Sequence, residues 1–155
     1  MDVDARVDAP CTVHQLFALV DDLGTYPRWL DLTHRCTPLT DGAVPAWEVE
    51  LRARLGPLAR SKRLRMERTV REIDATRAHA RFERVELDGR HHAPWVLDAT
   101  VTRRTALPDA APSAELRMAL HYGGRLWTGG VLERALGEQI TRGRARLLEL
   151  VAATH

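Results

Sequence analysis

The sequence predicts an α+β fold in which a seven-stranded antiparallel sheet wraps around one long C-terminal helix, with two short helices after the first strand. Polar and apolar residues alternate over 2–9 and 46–55, as they do in half-buried strands. Over 128–153 the apolar residues instead recur every three or four positions, as they do on one face of a helix. Short turns separate the strands, which is typical of antiparallel sheets.

The C-terminal segment 128–153 predicts a single amphipathic helix. Its apolar residues form a stripe roughly 100° wide, and charged residues lie at its edge or beyond it. Such a stripe must be buried, and the strands that precede it supply a sheet to cover it. The stripe consists of Leu132, Leu136, Ile140, Gly143, Leu147, Leu150 and Val151.

The N-terminal segment predicts a strand followed by two short helices. Residues 2–9 form the strand, and Pro10 suits the first position of a helix that runs to about Leu23. Residues 25–30 form one more helical turn, and the chain then extends through 32–36 as the second strand.

The five remaining strands follow from alternation and from turn residues. The first two of them pair as a hairpin about a Gly56–Pro57 turn, and a loop with two prolines at 107–112 precedes the last strand. The predicted strands are 46–55, 61–73, 79–87, 93–101 and 114–122.

Length and charge restrict the class of protein. A chain of 155 residues fits a single domain, 1–155, which can bury a core. Its 23 basic and 21 acidic residues are interspersed, which argues against a nucleic-acid partner. Because no signal peptide and no apolar run of about 18 residues is visible, we expect a cytoplasmic protein without a membrane span. Cys11 and Cys36 have no metal-ligand spacing and are expected to be free thiols.

Particular residues then point to a known superfamily. The opening segment VDAPCTVHQLFALVDDLGTYPRWL combines a strand, Ala9-Pro10, a helix containing Phe17, Tyr26-Pro27 and Trp29. With the order of elements, it resembles the helix-grip superfamily of START domains, polyketide cyclases and dehydrases, and the birch-pollen-allergen fold. The later pieces GPLARSKRLRM, RFERVELDGR and LHYGGRLW resemble a bacterial subgroup whose members mostly lack an assigned activity.

The resemblance implies a hydrophobic cavity between the sheet and the C-terminal helix, occupied in the superfamily by lipids, sterols, quinones or polyketides. Residues on the inner faces of the predicted elements either line such a cavity or pack together as a solid core. Gly143 lies on the helix stripe, where its missing side chain leaves room for a tryptophan or a ligand. The candidate ligand-binding residues are Trp47, Leu51, Leu64, Met66, Arg68, Phe82, Trp95, Leu97, Leu116, Met118, Leu120, Leu136, Ile140 and Gly143.

Three charged residues share the inner parity of these strands. Arg68 is in register with Leu64 and Met66, and a buried guanidinium needs a partner; stacking on Trp47 is one candidate. Alternatively Arg68 lies at the cavity mouth in a structural pair. Arg84 and Glu86 pair with Arg68 or with each other, unless a bulge after Phe82 turns both outward.

The residues predict neither a metal site nor a cofactor. His91 and His92 are adjacent in a strand entry, so their side chains diverge, and no third ligand is suitably spaced. The glycine pairs 123–124 and 129–130 lack the Lys and Ser or Thr of a phosphate-binding loop.

Three hypotheses of function stay open. The first is non-catalytic binding of a hydrophobic small molecule or lipid in the cavity. The second is a cyclase, aromatase or dehydratase in which Arg68 polarises a substrate carbonyl or stabilises an enolate. The third is a partner-binding module without a ligand. No catalytic motif of the superfamily can be matched residue by residue, so binding is the preferred interpretation.

Overall fold

A computed structural model describes residues 2–55, 57–104, 107, 110–123 and 131–153, and for 54, 55, 58 and 131–136 it describes the backbone alone. The elements are β1 (Asp2–Ala9), α1 (Val13–Phe17), a 3₁₀ helix (Leu23–Arg28), β2 (Thr33–Leu39), β3 (Ala46–Leu55), β4 (Leu58–Ile73), β5 (Arg77–Arg84), β6 (Trp95–Arg103), β7 (Ala114–Tyr122) and α2 (Val131–Ala153).

The seven strands form one sheet in the order β1-β7-β6-β5-β4-β3-β2, and all neighbours are antiparallel. From β2 to β7 each strand pairs with the next along the chain, whereas β1 pairs with β7. The predicted α+β architecture, a seven-stranded antiparallel sheet with a long C-terminal helix and two short helices after the first strand, is confirmed.

All three helices lie against the sheet. α1 contacts β5, β6 and β7, the 3₁₀ helix contacts β2 and β3, and α2 contacts β1 and β3. The α2 residues Leu147 and Val151 are each 1% exposed, so the predicted apolar stripe is buried along this part of the helix. Residues 128–130 of the predicted helix lie outside the described residues. No helix within the described ranges is long and apolar enough to cross a membrane.

The first helix ends earlier than predicted. α1 begins with a capping box, in which Thr12 Oγ1 accepts from the backbone N–H of Gln15, but the helix stops at Phe17 instead of running to about Leu23. Two side chains that follow the helix donate hydrogen bonds to backbone carbonyl groups that would accept from backbone N–H groups in a longer helix. The Tyr26 hydroxyl donates to the Val20 carbonyl at 2.9 Å, and Trp29 Nε1 donates to the Leu19 carbonyl at 3.1 Å. These hydrogen bonds hold a turn where helical periodicity alone predicts a helix.

A break in the alternation of β4 corrects one prediction. The pairing with β5 shifts register between Arg68 and Val70, so the residues beyond the shift exchange faces. Arg71 therefore lies opposite the fully buried Ala80 and places its guanidinium 5.6 Å from the centre of the Phe17 ring. Unbroken alternation from Leu64 and Met66 would predict Val70 inward and Arg71 outward, and the register shift reverses both.

The outer face of β4 carries basic residues, and not all of them are exposed to solvent. Arg65 faces outward but is only 8% exposed, because three acceptors surround its guanidinium. It pairs with Asp41 and with Glu67, each at 2.7 Å, and donates to the Val85 carbonyl at 2.9 Å. The hydrogen bond from Arg65 is the main cause that lowers the pKa of the Asp41 carboxyl. The ion pair between Arg65 and Asp41 connects the loop between β2 and β3 to the outer face of the sheet.

Candidate functional site

A cavity of about 130 Å³ lies between the sheet, the 3₁₀ segment and α2. Every strand of the sheet except β5 contributes residues to the wall of this cavity. The wall consists of Val3, Ala5, Arg6, Val7, Leu23, Tyr26, Trp29, Leu30, Leu32, Thr33, Val49, Leu51, Leu64, Met66, Trp95, Leu97, Leu116, Met118, Leu120, Ile140, Arg144 and Leu147.

The wall is apolar, and one side of it is nearer to solvent than the other. Leu64, Leu116 and Leu147 are almost completely buried, whereas Met118 and Ile140 are half-buried. The half-buried wall residues belong to β1, β6, β7 and the middle of α2, together with Leu30 after the 3₁₀ helix. A ligand would therefore be covered most deeply on the β3 and β4 side.

The structure brings nine of the fourteen candidate residues into this wall. All of them lie on inner strand faces or on the α2 stripe, as alternation and helical period indicated. They are Leu51, Leu64, Met66, Trp95, Leu97, Leu116, Met118, Leu120 and Ile140.

Two of the aromatic candidates lie in the core beside the cavity. Trp47 is 5% exposed and Phe82 is 0% exposed, and their rings meet edge to face with centroids 5.7 Å apart. Phe82 also packs edge to face against Tyr26, whose ring centre lies 6.2 Å away. Neither Trp47 nor Phe82 belongs to the cavity wall.

Arg68 does not line the cavity either, although it shares the inner face of β4. Its Nη1 donates to the Asp21 carbonyl at 2.8 Å, and its guanidinium lies 5.9 Å from the centre of the Trp47 ring. The predicted contact with Trp47 is therefore present. Because the backbone after α1 supplies the hydrogen-bond acceptor, Arg68 links that segment to the sheet. The alternative for this residue also assumed a structural partner, but placed it at the cavity mouth.

Gly143 lies where α2 packs closely against the segment that follows the 3₁₀ helix. A Cβ atom at this position would lie 3.0 Å from the Trp29 carbonyl oxygen and 3.6 Å from Leu30 Cδ1. The helix thus approaches the backbone and the ring of Trp29, so a tryptophan uses the space at Gly143, as one of the two alternatives for this residue stated. Gly143 is not part of the cavity wall. The side chain of the last candidate, Leu136, lies outside the described residues.

The largest group that sequence reasoning missed comes from β1 and the 3₁₀ segment. Ala5 lies on the apolar face predicted for β1 but was not assigned to a site. Tyr26 and Trp29 belong to the Tyr-Pro and Trp pieces of the opening segment, and that combination of aromatic residues was the available signal. They were missed because a short helix without a clear stripe does not reveal which side faces the sheet.

A polar cluster lies beside Trp95, at one end of the cavity. Arg84 pairs with Met66 in regular register, so the predicted alternative of a bulge that turns it outward is wrong. Its side chain is 9% exposed, and Nε lies 3.0 Å from a carboxylate oxygen of Glu86. Lys62 lies on the same face and holds its Nζ 6.0 Å from the centre of the Trp95 ring. Burial, followed by the nearby Arg84 charge, lowers the pKa of Lys62 below its ordinary value.

The wall offers no pair of groups for acid–base or nucleophilic catalysis. Among its described residues there is no histidine, cysteine or carboxylate, and the Tyr26 hydroxyl already donates to Val20. Burial is the main cause that raises the pKa of Tyr26, so this phenol stays protonated. Within the described ranges no three side chains of His, Cys, Asp or Glu come together as metal ligands. The arrangement can enclose an apolar group.

No protein-family model matches the chain, and no curated protein matches it closely enough to count as a relative. Several solved structures, in contrast, match the chain. A START superfamily protein from Mycobacterium smegmatis matches with a TM-score of 0.64 and 15% identity, over 99% of each chain. Human StAR-related lipid transfer protein 5 matches with a TM-score of 0.78 and 12% identity, over 99% of this chain and 76% of the other.

The Zhui aromatase/cyclase from Streptomyces sp. R1128 is a third structural neighbour, with a TM-score of 0.60 and 14% identity over 98% of this chain and 93% of the other. Such low identities reveal a shared fold and leave the activity open. By its strand order, the position of its long helix and these likenesses, the chain has the helix-grip fold of START and polyketide cyclase-like proteins.

Proposed function

We propose that this chain is a single-domain, non-catalytic binding protein, 1–155, that takes up a hydrophobic small molecule or lipid in the cavity beneath α2. The observation that carries the proposal is the apolar wall contributed by β1, β3, β4, β6, β7 and α2. The fold supports it, since one structural neighbour is named as a lipid transfer protein. We place the protein in the cytoplasm, and its two free cysteines suit a reducing compartment.

The size of the cavity restricts what it can enclose. An apolar cavity of about 150 Å³ can stay dry and bind benzene, and the space here is about 130 Å³. The enclosed group is therefore one aromatic ring or a chain of several methylenes. A larger lipid must extend past the half-buried wall of β1 and β7 or displace part of it. Each methylene that enters contributes about 0.8 kcal/mol before the cost of association.

Catalysis by a cyclase-type mechanism is the less favoured function. Arg68, the residue that would polarise a carbonyl, lies outside the cavity wall and is held by the Asp21 carbonyl and the Trp47 ring. The likeness to an aromatase/cyclase supports the fold of this chain and no particular reaction. A binding function needs only the apolar wall.

The proposal is tested with octan-1-ol as a neutral probe and a matched pair of variants. Ala5→Phe places a ring in the cavity wall, whereas Ala119→Phe places the same ring on β7 across from Asp4, on the opposite face of the sheet. Native mass spectrometry detects the complex, and thermal unfolding measures its stability. At an octanol concentration of about 100 times Kd, linkage stabilises the protein by about 2.7 kcal/mol, which is roughly 5–10 °C in Tm for a chain of this size.

We expect wild type and Ala119→Phe to bind octanol alike and Ala5→Phe to bind at least about tenfold more weakly. This result requires Ala5→Phe to keep a Tm near that of wild type, because its ring fills space that is otherwise empty. If octanol neither binds wild type nor raises its Tm, the proposed function is wrong. Unfolding by Ala5→Phe alone would also contradict it, since that is the effect of overpacking a filled core.

A further inference from the structure

The indole N–H of Trp95 is a buried hydrogen-bond donor for which the described residues provide no acceptor. Trp95 is 8% exposed and forms part of the cavity wall, and no described residue accepts from its Nε1. The other buried donors of the wall are satisfied, since Trp29 Nε1 donates to Leu19 and the Tyr26 hydroxyl to Val20. A buried donor without a partner is unfavourable and rare in native proteins. Trp95 therefore needs an acceptor that the described residues do not supply.

Lys62, next to this indole, is a cation without a carboxylate of its own among the described residues. It is the only lysine in the chain, and its strand register places it opposite Leu51 on the inner face of the sheet. Glu86, the carboxylate of this polar cluster, is already paired with Arg84 at 3.0 Å. Two cations and one anion leave one positive charge at this end of the cavity.

The unpaired indole N–H of Trp95 and the positive charge of Lys62 can be satisfied by the same chemical group. An acceptor oxygen would satisfy Trp95 Nε1, and a negative charge would balance the cation on Lys62. Beyond Trp95 the wall continues through Leu97, Leu116 and Leu120, which are apolar. A molecule that fits both parts has one carboxylate and an apolar body.

We infer that the ligand is a small monocarboxylic acid, bound as its carboxylate, with one oxygen accepting from Trp95 Nε1, the charge facing Lys62, and the hydrocarbon part enclosed by the apolar wall. This inference rests on the proposed function and specifies its ligand class. The cavity volume limits the enclosed part to one ring or several methylenes.

The test compares two probes that share an eight-carbon chain, octanoate and octan-1-ol, by calorimetry at about pH 7. A hydrogen bond to a charged group is worth more than a neutral one, so octanoate should bind wild type about tenfold more tightly than octanol. Lys62→Met, which keeps the length of the side chain without its charge, should weaken octanoate binding and abolish this preference. Trp95→Phe should weaken octanoate about tenfold, whereas Trp47→Phe, a matched change outside the cavity wall, should not.

Nuclear magnetic resonance of the wild-type protein provides a readout that needs no variant to fold. On addition of octanoate the indole N–H of Trp95 should move downfield, as expected when it gains an acceptor. The resonance of the single lysine should show its pKa rising towards or above the ordinary value, because a carboxylate favours the charged ammonium.

The possible failures are distinguishable. If neither probe binds, the proposed function is wrong and the inference falls with it. If both probes bind equally and the Trp95 indole resonance does not move, the cavity binds apolar molecules but the carboxylate assignment is wrong. Octanoate binding that Lys62→Met and Trp95→Phe leave unchanged would also overturn the assignment.

Discussion

Replacing Gly143 by alanine should destabilise the protein, although alanine is the better helix former. Alanine in a helix interior is favoured over glycine by about 1 kcal/mol. Against this gain, the new Cβ would lie 3.0 Å from the Trp29 carbonyl oxygen. That backbone cannot easily retreat, because the Trp29 N–H donates to Tyr26 at 3.1 Å and its indole donates to Leu19 at 3.1 Å.

Gly137 is the matched control in the same helix. No atom of the described residues comes within 4 Å of a Cβ placed there, so Gly137→Ala should stabilise the protein by about 1 kcal/mol. The helix-propensity contribution is common to both changes and cancels in their difference. What remains is the contact with Trp29, which at about 1–3 kcal/mol is typical of one methyl forced into a packed site.

Urea unfolding of the two variants measures this difference directly. In thermal unfolding, a difference of about 2 kcal/mol corresponds to roughly 4–8 °C in Tm for a domain of this size. If Gly143→Ala stabilises the protein as much as Gly137→Ala does, the close approach between α2 and Trp29 is absent. Gly143 would then return to consideration as a position that leaves space for a ligand.

Two further predictions concern titratable groups. Burial raises the pKa of Cys36 to about 12 and also raises that of Cys11. Both thiols should therefore resist a disulfide reagent at about pH 8 in the native state, two should react in denaturant, and stability should fall as the pH rises from 9 towards 12. For Asp98, burial raises the pKa, but hydrogen bonds from Arg81 and His79 outweigh it, so the pKa is lowered from 3.8. The stability that the Asp98 carboxylate contributes should be lost as the pH falls below 3.8. Urea unfolding at about pH 5 and about pH 3 measures this loss of stability, which should be smaller for Asp98→Asn than for wild type.

The sheet could be predicted because the information for each strand is local. Trp47, Val49 and Leu51 alternate with charged residues, and the structure buries all three. Alternation fails where one residue is added to a strand, and nothing in the sequence around Val70 and Arg71 marks the register shift of β4. The errors in strand limits are at most three residues, and β2 carries a second register shift, between Thr33 and Arg35.

The cavity wall could be predicted only in part, for a different reason. Inner strand faces supplied nine of the residues, since parity decides which way a strand residue points. The roles of Arg68 and Gly143 depend instead on the Asp21 and Trp29 backbone, which lies far away in the sequence. Contacts between distant segments have no local signature, so a cavity position and a packing position look identical in the sequence.

The pairing of β1 with β7 has a consequence during synthesis. Asp2 and His121 face each other across this ladder although 119 positions separate them, so β1 leaves the ribosome long before its partner exists. It also remains at one edge of the finished sheet, and β2 lies at the other. Unpaired strands invite the wrong neighbour, and charges or proline discourage it. Four of the eight residues of β1 are charged, and β2 contains Pro38. Both edge strands therefore carry residues that disfavour pairing with another chain, before the sheet is complete as well as after.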